Sequence, residues 1–169
     1  MKVSINILGR FHFFDLAKQL DKRGFLHQLV TSFPSFKAKE WGLSNNVRSL
    51  LFIEVIRRVL SKTWLYNANM NTNIKKIYGF ISFIFIKKNI DVFIFFAGNG
   101  FNSKLVNTLQ AKNVVCVADE GSAHILSQRR LLEDEYKSLG LEYKSKQPQD
   151  LLKETLLEYE IADYIMVPS

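Results

Sequence analysis

The sequence predicts an α/β protein, a three-layer α/β/α arrangement around a mainly parallel sheet. Three observations carry this. Short β-branched apolar runs alternate with helical apolar stripes along all 169 residues. Residues 2–31 read strand, helix, strand, the βαβ unit that makes a parallel pair. The strand runs are apolar at nearly every position, as strands buried on both faces are. At this length a single domain, residues 1–169, is expected, with room for a sizeable core.

Lys2 to Leu8 is the first strand, stopped by Gly9. Phe13, Leu16, Ala17 and Leu20 then fall at i, i+3, i+4 and i+7, one face of a helix that Gly24 is placed to end. Leu26 to Thr31 is the second strand, closed by Ser32-Phe33-Pro34. Residues 35–45 read as loop. Phe52, Val55, Ile56, Val59 and Leu60 form a strong helical stripe beside Arg57, Arg58 and Lys62. An asparagine-rich stretch (Asn67, Asn69, Asn71, Asn73) reads as a polar linker. The run Ile77–Ile86 fits a buried helix, because Ile74, Ile77, Tyr78, Ile81, Ile84 and Phe85 keep helical spacing. A strand is the alternative, since periodicity says little where almost every position is apolar.

Asp91 to Ala97 is a further strand, ending in Gly98-Asn99-Gly100. A helix over residues 102–112 turns Leu105, Val106 and Leu109 inward, and Val114 to Ala118 is the next strand. Ser122 is placed to cap a helix reaching Leu139, with a stripe of Ile125, Leu132, Tyr136 and Leu139 and with Gly140 closing it. A helix near Gln149–Glu160 and a strand Tyr164–Val167, stopped by Pro168-Ser169, finish the chain. An ending on an uncapped strand suggests a segment cut at a domain boundary.

Charge divides the sequence. Residues 1–118 carry 17 Lys/Arg against 5 Asp/Glu, a net +12, and residues 119–169 carry 6 against 11, a net −5, giving the overall +7. A basic amino-terminal portion suggests a polyanionic neighbour, with solvated lysine-rich faces as the plain alternative. The basic residues interleave with core aliphatics rather than exposed aromatic platforms, so no nucleic-acid partner is expected. They suit an anionic membrane surface better. The start has no signal-peptide cleavage pattern, and the ten-residue Ile77–Ile86 run is short of the roughly 20 needed to span a bilayer. A cytoplasmic protein follows. The lone Cys116 excludes an internal disulfide and reads as a small buried hydrophobe.

Three loops leave strand carboxyl ends with polar or flexible residues: Gly9-Arg10-Phe11-His12, Gly98-Asn99-Gly100, and Asp119-Glu120-Gly121-Ser122-Ala123-His124. In a parallel sheet all three open on one edge, where ligands of such sheets bind. Gly9 lets backbone N–H groups approach an anion, and Arg10 adds a charge-assisted contact to phosphate or carboxylate. Dinucleotide, phosphate-loop, HExxH and nucleophile-elbow motifs are absent. His12, His124, Asp119 and Glu120 lack a metal-ligand spacing, so no metal site is expected. His27, within a strand, reads as structural.

Gly9 to Leu20, Asp119 to His124, and Ala162-Asp163-Tyr164-Ile165-Met166-Val167-Pro168-Ser169 together resemble family 4 glycosyltransferases, in the right order. The resemblance covers nearly the whole chain but only the amino-terminal half of such an enzyme. It implies a GT-B fold of two Rossmann-like domains facing across a cleft, this chain being the acceptor-side one. The carboxyl-terminal, donor-binding domain would be its missing partner. It implies sugar transfer with retention from a nucleoside-diphosphate sugar, without a bound cofactor or metal. The acceptor would be a glycan or lipid-linked molecule in surface polysaccharide or glycolipid synthesis, with peripheral contact at the inner membrane face.

By the resemblance, the Gly9 loop lies near the donor diphosphate, and Asp119 to His124 line the cleft. Candidate substrate-binding residues are Gly9, Arg10, Phe11, His12, Asn99, Asp119, Glu120, Gly121, Ser122 and His124. Asp119, Glu120 and His124 are the catalytic candidates. Glu120 departs from the pattern, since relatives often carry arginine there, which leaves its role open. The competing expectation is a non-catalytic α/β module that docks on an anionic membrane or a partner subunit.

Overall fold

The structure, a computed structural model, describes residues 1–43, 46–64, 66–145 and 147–167. The Pro168-Ser169 stop, the end of the third stretch quoted for the resemblance, therefore lies outside the described residues. Among the described residues six strands form one sheet: β1 (Val3–Ile7), β2 (Leu26–Thr31), β3 (Val47–Ser49), β4 (Val92–Phe96), β5 (Val115–Asp119) and β6 (Tyr164–Met166). Every pairing is parallel and the order is β3-β2-β1-β4-β5-β6. Among the described residues seven helices connect and cover it: α1 (Phe13–Lys22), α2 (Ser35–Glu40), α3 (Leu51–Leu60), α4 (Ala68–Phe85), α5 (Ser103–Gln110), α6 (Ile125–Ser138) and α7 (Gln149–Ile161).

Alternation along the strands makes two cores. Ile5 and Ile7 of β1 and Leu29 of β2 face Phe13, Phe14 and Ala17 of α1 and Ala38 of α2. On the opposite face Val30, Phe93, Phe95, Cys116 and Ala118 meet Ile53, Tyr78, Leu105, Leu109 and Tyr159. The result is a Rossmann-like three-layer α/β/α domain. Its direction of strand addition reverses between β1 and β4, so a crevice opens outside the carboxyl ends of those two strands.

A buried polar network fixes α4 against the sheet. The Tyr78 hydroxyl donates to Asn6 Oδ1 at 2.7 Å, and Asn6 Nδ2 donates to Asn102 Oδ1 at 2.7 Å and Ser82 Oγ at 3.2 Å. Burial pushes the Tyr78 phenol well above its ordinary value, so it stays a neutral donor. At Gly79 a Cβ would fall 2.1 Å from the Gly100 carbonyl oxygen, so α4 and the loop after β4 touch backbone to backbone there.

Several expectations change. Residues 35–43 are not plain loop, because Ser35–Glu40 closes a short helix, and the third strand, Val47–Ser49, has no counterpart in the sequence reading. The remaining loop positions 44 and 45 lie outside the described residues. The asparagine stretch is helix: Asn67 caps α4, its side chain accepting from the Met70 N–H at 2.9 Å, and Asn69, Asn71 and Asn73 lie within it. The Ile77–Ile86 segment is helical, but Ile77, Phe80 and Ile84 face outward and Thr72, Gly79 and Ser82 face in. The α3 stripe points away from the core: Phe52, Val55, Ile56 and Val59 are exposed while Ile53 and Glu54 are buried. Periodicity identifies an amphipathic helix but not the side on which its partner lies. The α6 stripe is likewise exposed apart from half-buried Ile125.

Candidate functional site

The crevice begins at the β1–α1 loop. Gly9 adopts φ +99°, a left-handed conformation that glycine accepts without a Cβ clash. The end of β2 holds it: the Gly9 N–H donates to Ser32 Oγ at 3.0 Å, and Thr31 Oγ1 donates to the Gly9 carbonyl at 2.5 Å. The Gly9 amide is thus spent on the loop itself and not aimed at a ligand. Phe11 follows at φ +45°, its ring stacked on Phe96 at 5.3 Å between centroids. The Arg10 guanidinium sits 3.6 Å above the Trp41 ring, a cation–π perch that leaves its edge to solvent.

His12 starts α1 without capping it. Its ring reaches across the end of β4 instead, and Nε2 lies 2.5 Å from Asp119 Oδ2. Asp119 closes β5 and is buried, whereas the His12 side chain is half exposed. Phe96, paired in register with Asp119, forms the floor of this bridge, edge-on to Phe13 at 6.0 Å. Gly121 closes over it: a Cβ there would stand 3.1 Å from the Phe96 ring and 3.6 Å from the His12 ring. His12, Asp119 and Gly121 line a cavity of about 410 Å³ with Leu16, Met166 and Val167.

The remaining residues of the third loop serve local structure. Glu120 is buried, its N–H donates to the Met166 carbonyl at 2.9 Å, and its carboxylate accepts from Ser122 Oγ at 3.2 Å. Burial raises the Glu120 acid above its ordinary range, Ser122 opposes that, and the adjacent Asp119 charge adds to it. His124, not Ser122, caps α6, its Nδ1 accepting from the Leu126 N–H at 3.3 Å. Its ring lies against Tyr159 at 4.8 Å. Ser122 instead accepts from Gln128 Nε2 at 3.0 Å. Of the catalytic candidates, then, Asp119 alone faces the crevice, and its partner comes from the first loop.

A second depression, about 480 Å³, lies on the β2 side of the switch point. Gly9, Arg10, Phe11 and Asn99 line it together with Phe33, Glu54, Arg57, Arg58, Asn71 and Lys75. Asn99 is buried and donates to the Leu8 carbonyl at 3.1 Å, tying the β1 and β4 loops together. Lys75 Nζ donates to the Gly98 carbonyl at 2.8 Å, and burial lowers its ammonium pKa while the Glu158 charge resists.

Glu158 of α7 is fully buried and accepts from the Gly98 N–H at 2.5 Å and the Asn102 N–H at 2.5 Å. Burial nevertheless outweighs those donors and pushes its carboxyl up to about 7. Trp41, Glu54, Arg57, Arg58, Lys75, Phe96 and Glu158 escaped the sequence reading as site residues. The spacing of Glu54, Arg57 and Arg58 at i, i+3 and i+4 is the signal that could have found a cluster among them. Cys116 is buried and its thiol is pushed up to about 12, mainly by burial, so it is an inert core residue.

Among the described residues no three His, Cys, Asp or Glu side chains cluster as metal ligands, and no helix is long and apolar enough to cross a membrane. Comparison of the chain with protein-family models, with curated proteins and with solved structures finds no match.

Proposed function

We propose that this chain is the acceptor-side domain of a retaining, GT-B-type glycosyltransferase. It would pass a sugar from a nucleoside-diphosphate sugar to a glycan or lipid-linked acceptor in surface polysaccharide or glycolipid synthesis. The observation that carries the reading is the His12–Asp119 pair, 2.5 Å apart at the strand switch point. Two of the three segments that resemble the family meet in that pair, where an α/β sheet binds its ligands. Asp119 takes up Nε2 of His12, orients the ring, and leaves Nδ1 for a polar group of the substrate. The exposed apolar stripe of α6 (Leu132, Tyr136, Leu139) adds support, since a second domain would supply it with a partner. On this reading the protein works in the cytoplasm, peripheral on the inner membrane face.

The test is nucleoside-diphosphate release from a panel of sugar nucleotides, using the natural protein with whatever sequence follows residue 169. Turnover that Asp119→Asn and His12→Ala both depress is expected. Turnover indifferent to both variants removes the site assignment, and no turnover with any donor and acceptor removes the enzyme reading.

One observation favours a second reading, a non-catalytic module docked on an anionic membrane. On α3, Phe52, Val55, Ile56 and Val59 are exposed beside Arg57, Arg58 and Lys62, the pattern of a helix lying in a membrane interface.

A further inference from the structure

The depression on the β2 side holds four cationic side chains, Arg10, Arg57, Arg58 and Lys75, and one carboxylate, Glu54. Glu54 is buried and holds both arginines: Arg57 Nη2 is 2.9 Å and Arg58 Nε 2.7 Å from its Oε1. The arginines in turn keep the Glu54 carboxyl below its ordinary range against the opposing cost of burial. Ser32 Oγ, which receives the Gly9 amide, donates onward to Glu54 Oε2 at 3.4 Å. The glycine loop and the arginine pair are therefore one hydrogen-bonded assembly.

A guanidinium has five N–H donors. The bonds to Glu54 use Nε and Nη2 of Arg57 and Nε of Arg58, and Tyr66 takes a further hydrogen bond from the Arg57 guanidinium, so both Nη groups of Arg58 can serve a ligand. One carboxylate against four cations leaves the pocket three positive charges in excess. Concentrating such an excess in a partly enclosed cavity is unfavourable unless an anion shares it. Forked guanidinium donors match phosphate oxygens better than a lone ammonium does. Asn71 and Asn99 add polar lining, and Phe11 and Phe33 give the pocket apolar walls.

We propose that this pocket binds a phosphate or pyrophosphate group carrying at least two negative charges. The naming of that group as the phosphorylated end of an acceptor rests on the transferase reading; the pocket's preference for a polyanion does not. The group's two sources, a soluble phosphorylated molecule and a lipid headgroup, share this chemistry.

The test is a titration of the isotope-labelled 169-residue chain with inorganic pyrophosphate at fixed ionic strength, followed by amide chemical shifts. Shifts centred on Gly9–Phe11, residues 54–58, Lys75 and Asn99 are expected. Binding should weaken about tenfold or more in the Arg57→Gln/Arg58→Gln variant, as loss of charge-assisted contacts requires. That variant strands a buried carboxylate, so Arg10→Ala, on an exposed side chain, is the second probe and should weaken binding in the same direction.

No shifts, shifts centred on other lysines, or affinity unchanged in both variants overturns the proposal. Phosphatidic acid vesicles, whose phosphomonoester can carry two charges, that pellet the chain and release it to pyrophosphate would assign the group to a lipid. Pyrophosphate binding without vesicle binding would assign it to a soluble molecule. Both outcomes uphold the pocket. Pyrophosphate binding in a protein that turns over no sugar nucleotide upholds the pocket and removes only the transferase reading.

Discussion

Nε2 of His12 stands 2.5 Å from Oδ2 of Asp119, joining two loops 107 residues apart over the end of the strand between them. The pair costs the chain a cap, because a histidine turned toward Asp119 does not satisfy the first amides of α1. Its contribution to stability is moderate: the histidine is half exposed, but removing it leaves the buried Asp119 carboxylate without that partner, at a cost of about 1–3 kcal/mol. On the transferase reading its contribution to rate is large. His12→Ala should lower kcat by about 100-fold or more, measured well below a thermal midpoint that falls by about 2–12 °C. Equal, modest losses in stability and rate would mark the pair as structural.

Five of the six strands were legible as short apolar runs and most helices by their period: Leu26–Thr31 matches β2 end for end, and Leu105, Val106 and Leu109 face inward as read. What escaped depends on partners far away in sequence. β3 has three residues, too few for a pattern, and exists because β2 offers it an edge. The asparagines of α4 are poor helix formers, overridden by the core that Ile74 and Tyr78 join. The loop Asp119 to His124 lies at the carboxyl end of β5, but its members divide. Which of two adjacent acids faces a crevice and which turns under a loop is set by packing around Phe96, and neither charge nor spacing records that.

Glu158 makes stability depend on pH. An acid whose folded pKa, about 7, lies above its unfolded value of 4.5 binds its proton more tightly in the native state. Its contribution to stability is present below about pH 4.5 and is lost as pH rises through about 7, a loss of about 3 kcal/mol at most. Urea midpoints should therefore fall between about pH 4.5 and pH 7, the window those two values set, and level off above it. Glu158→Gln removes the titration and should flatten that fall, although its amide now meets the Gly98 and Asn102 N–H donors and lowers stability at every pH. A wild-type slope that persists in Glu158→Gln would place the titrating group elsewhere.

Gly79→Ala inverts the usual rule for a helix interior. Propensity alone favours alanine by about 1 kcal/mol. Here the added Cβ would stand 2.1 Å from the Gly100 carbonyl oxygen and 2.8 Å from that of Phe101, both backbone atoms that no rotamer change can move. The helix must lift from the β4–α5 loop, and a net loss of about 1–3 kcal/mol is expected in urea unfolding. Because that loop carries Asn99, crevice binding should weaken along with stability. A stabilised Gly79→Ala protein would mean that the approach of α4 to the loop is looser than described.

The exposed face of α3 separates membrane docking from ordinary surface. Val55 is 50 % exposed and Val59 59 %, so polar replacements leave no cavity and should change stability by no more than about 0.5 kcal/mol. If the face docks on anionic lipid, Val55→Asp/Val59→Asp should abolish co-sedimentation with phosphatidylglycerol vesicles, because it removes apolar insertion and adds charge that the lipid repels. Raising the salt concentration should weaken the wild-type contact, through its basic residues, without abolishing it, since apolar burial is not screened. Wild-type chain that never sediments would exclude this use of the helix. Sedimentation unaffected by Val55→Asp/Val59→Asp would move the contact to another basic segment, such as the Lys87-Lys88 turn after α4.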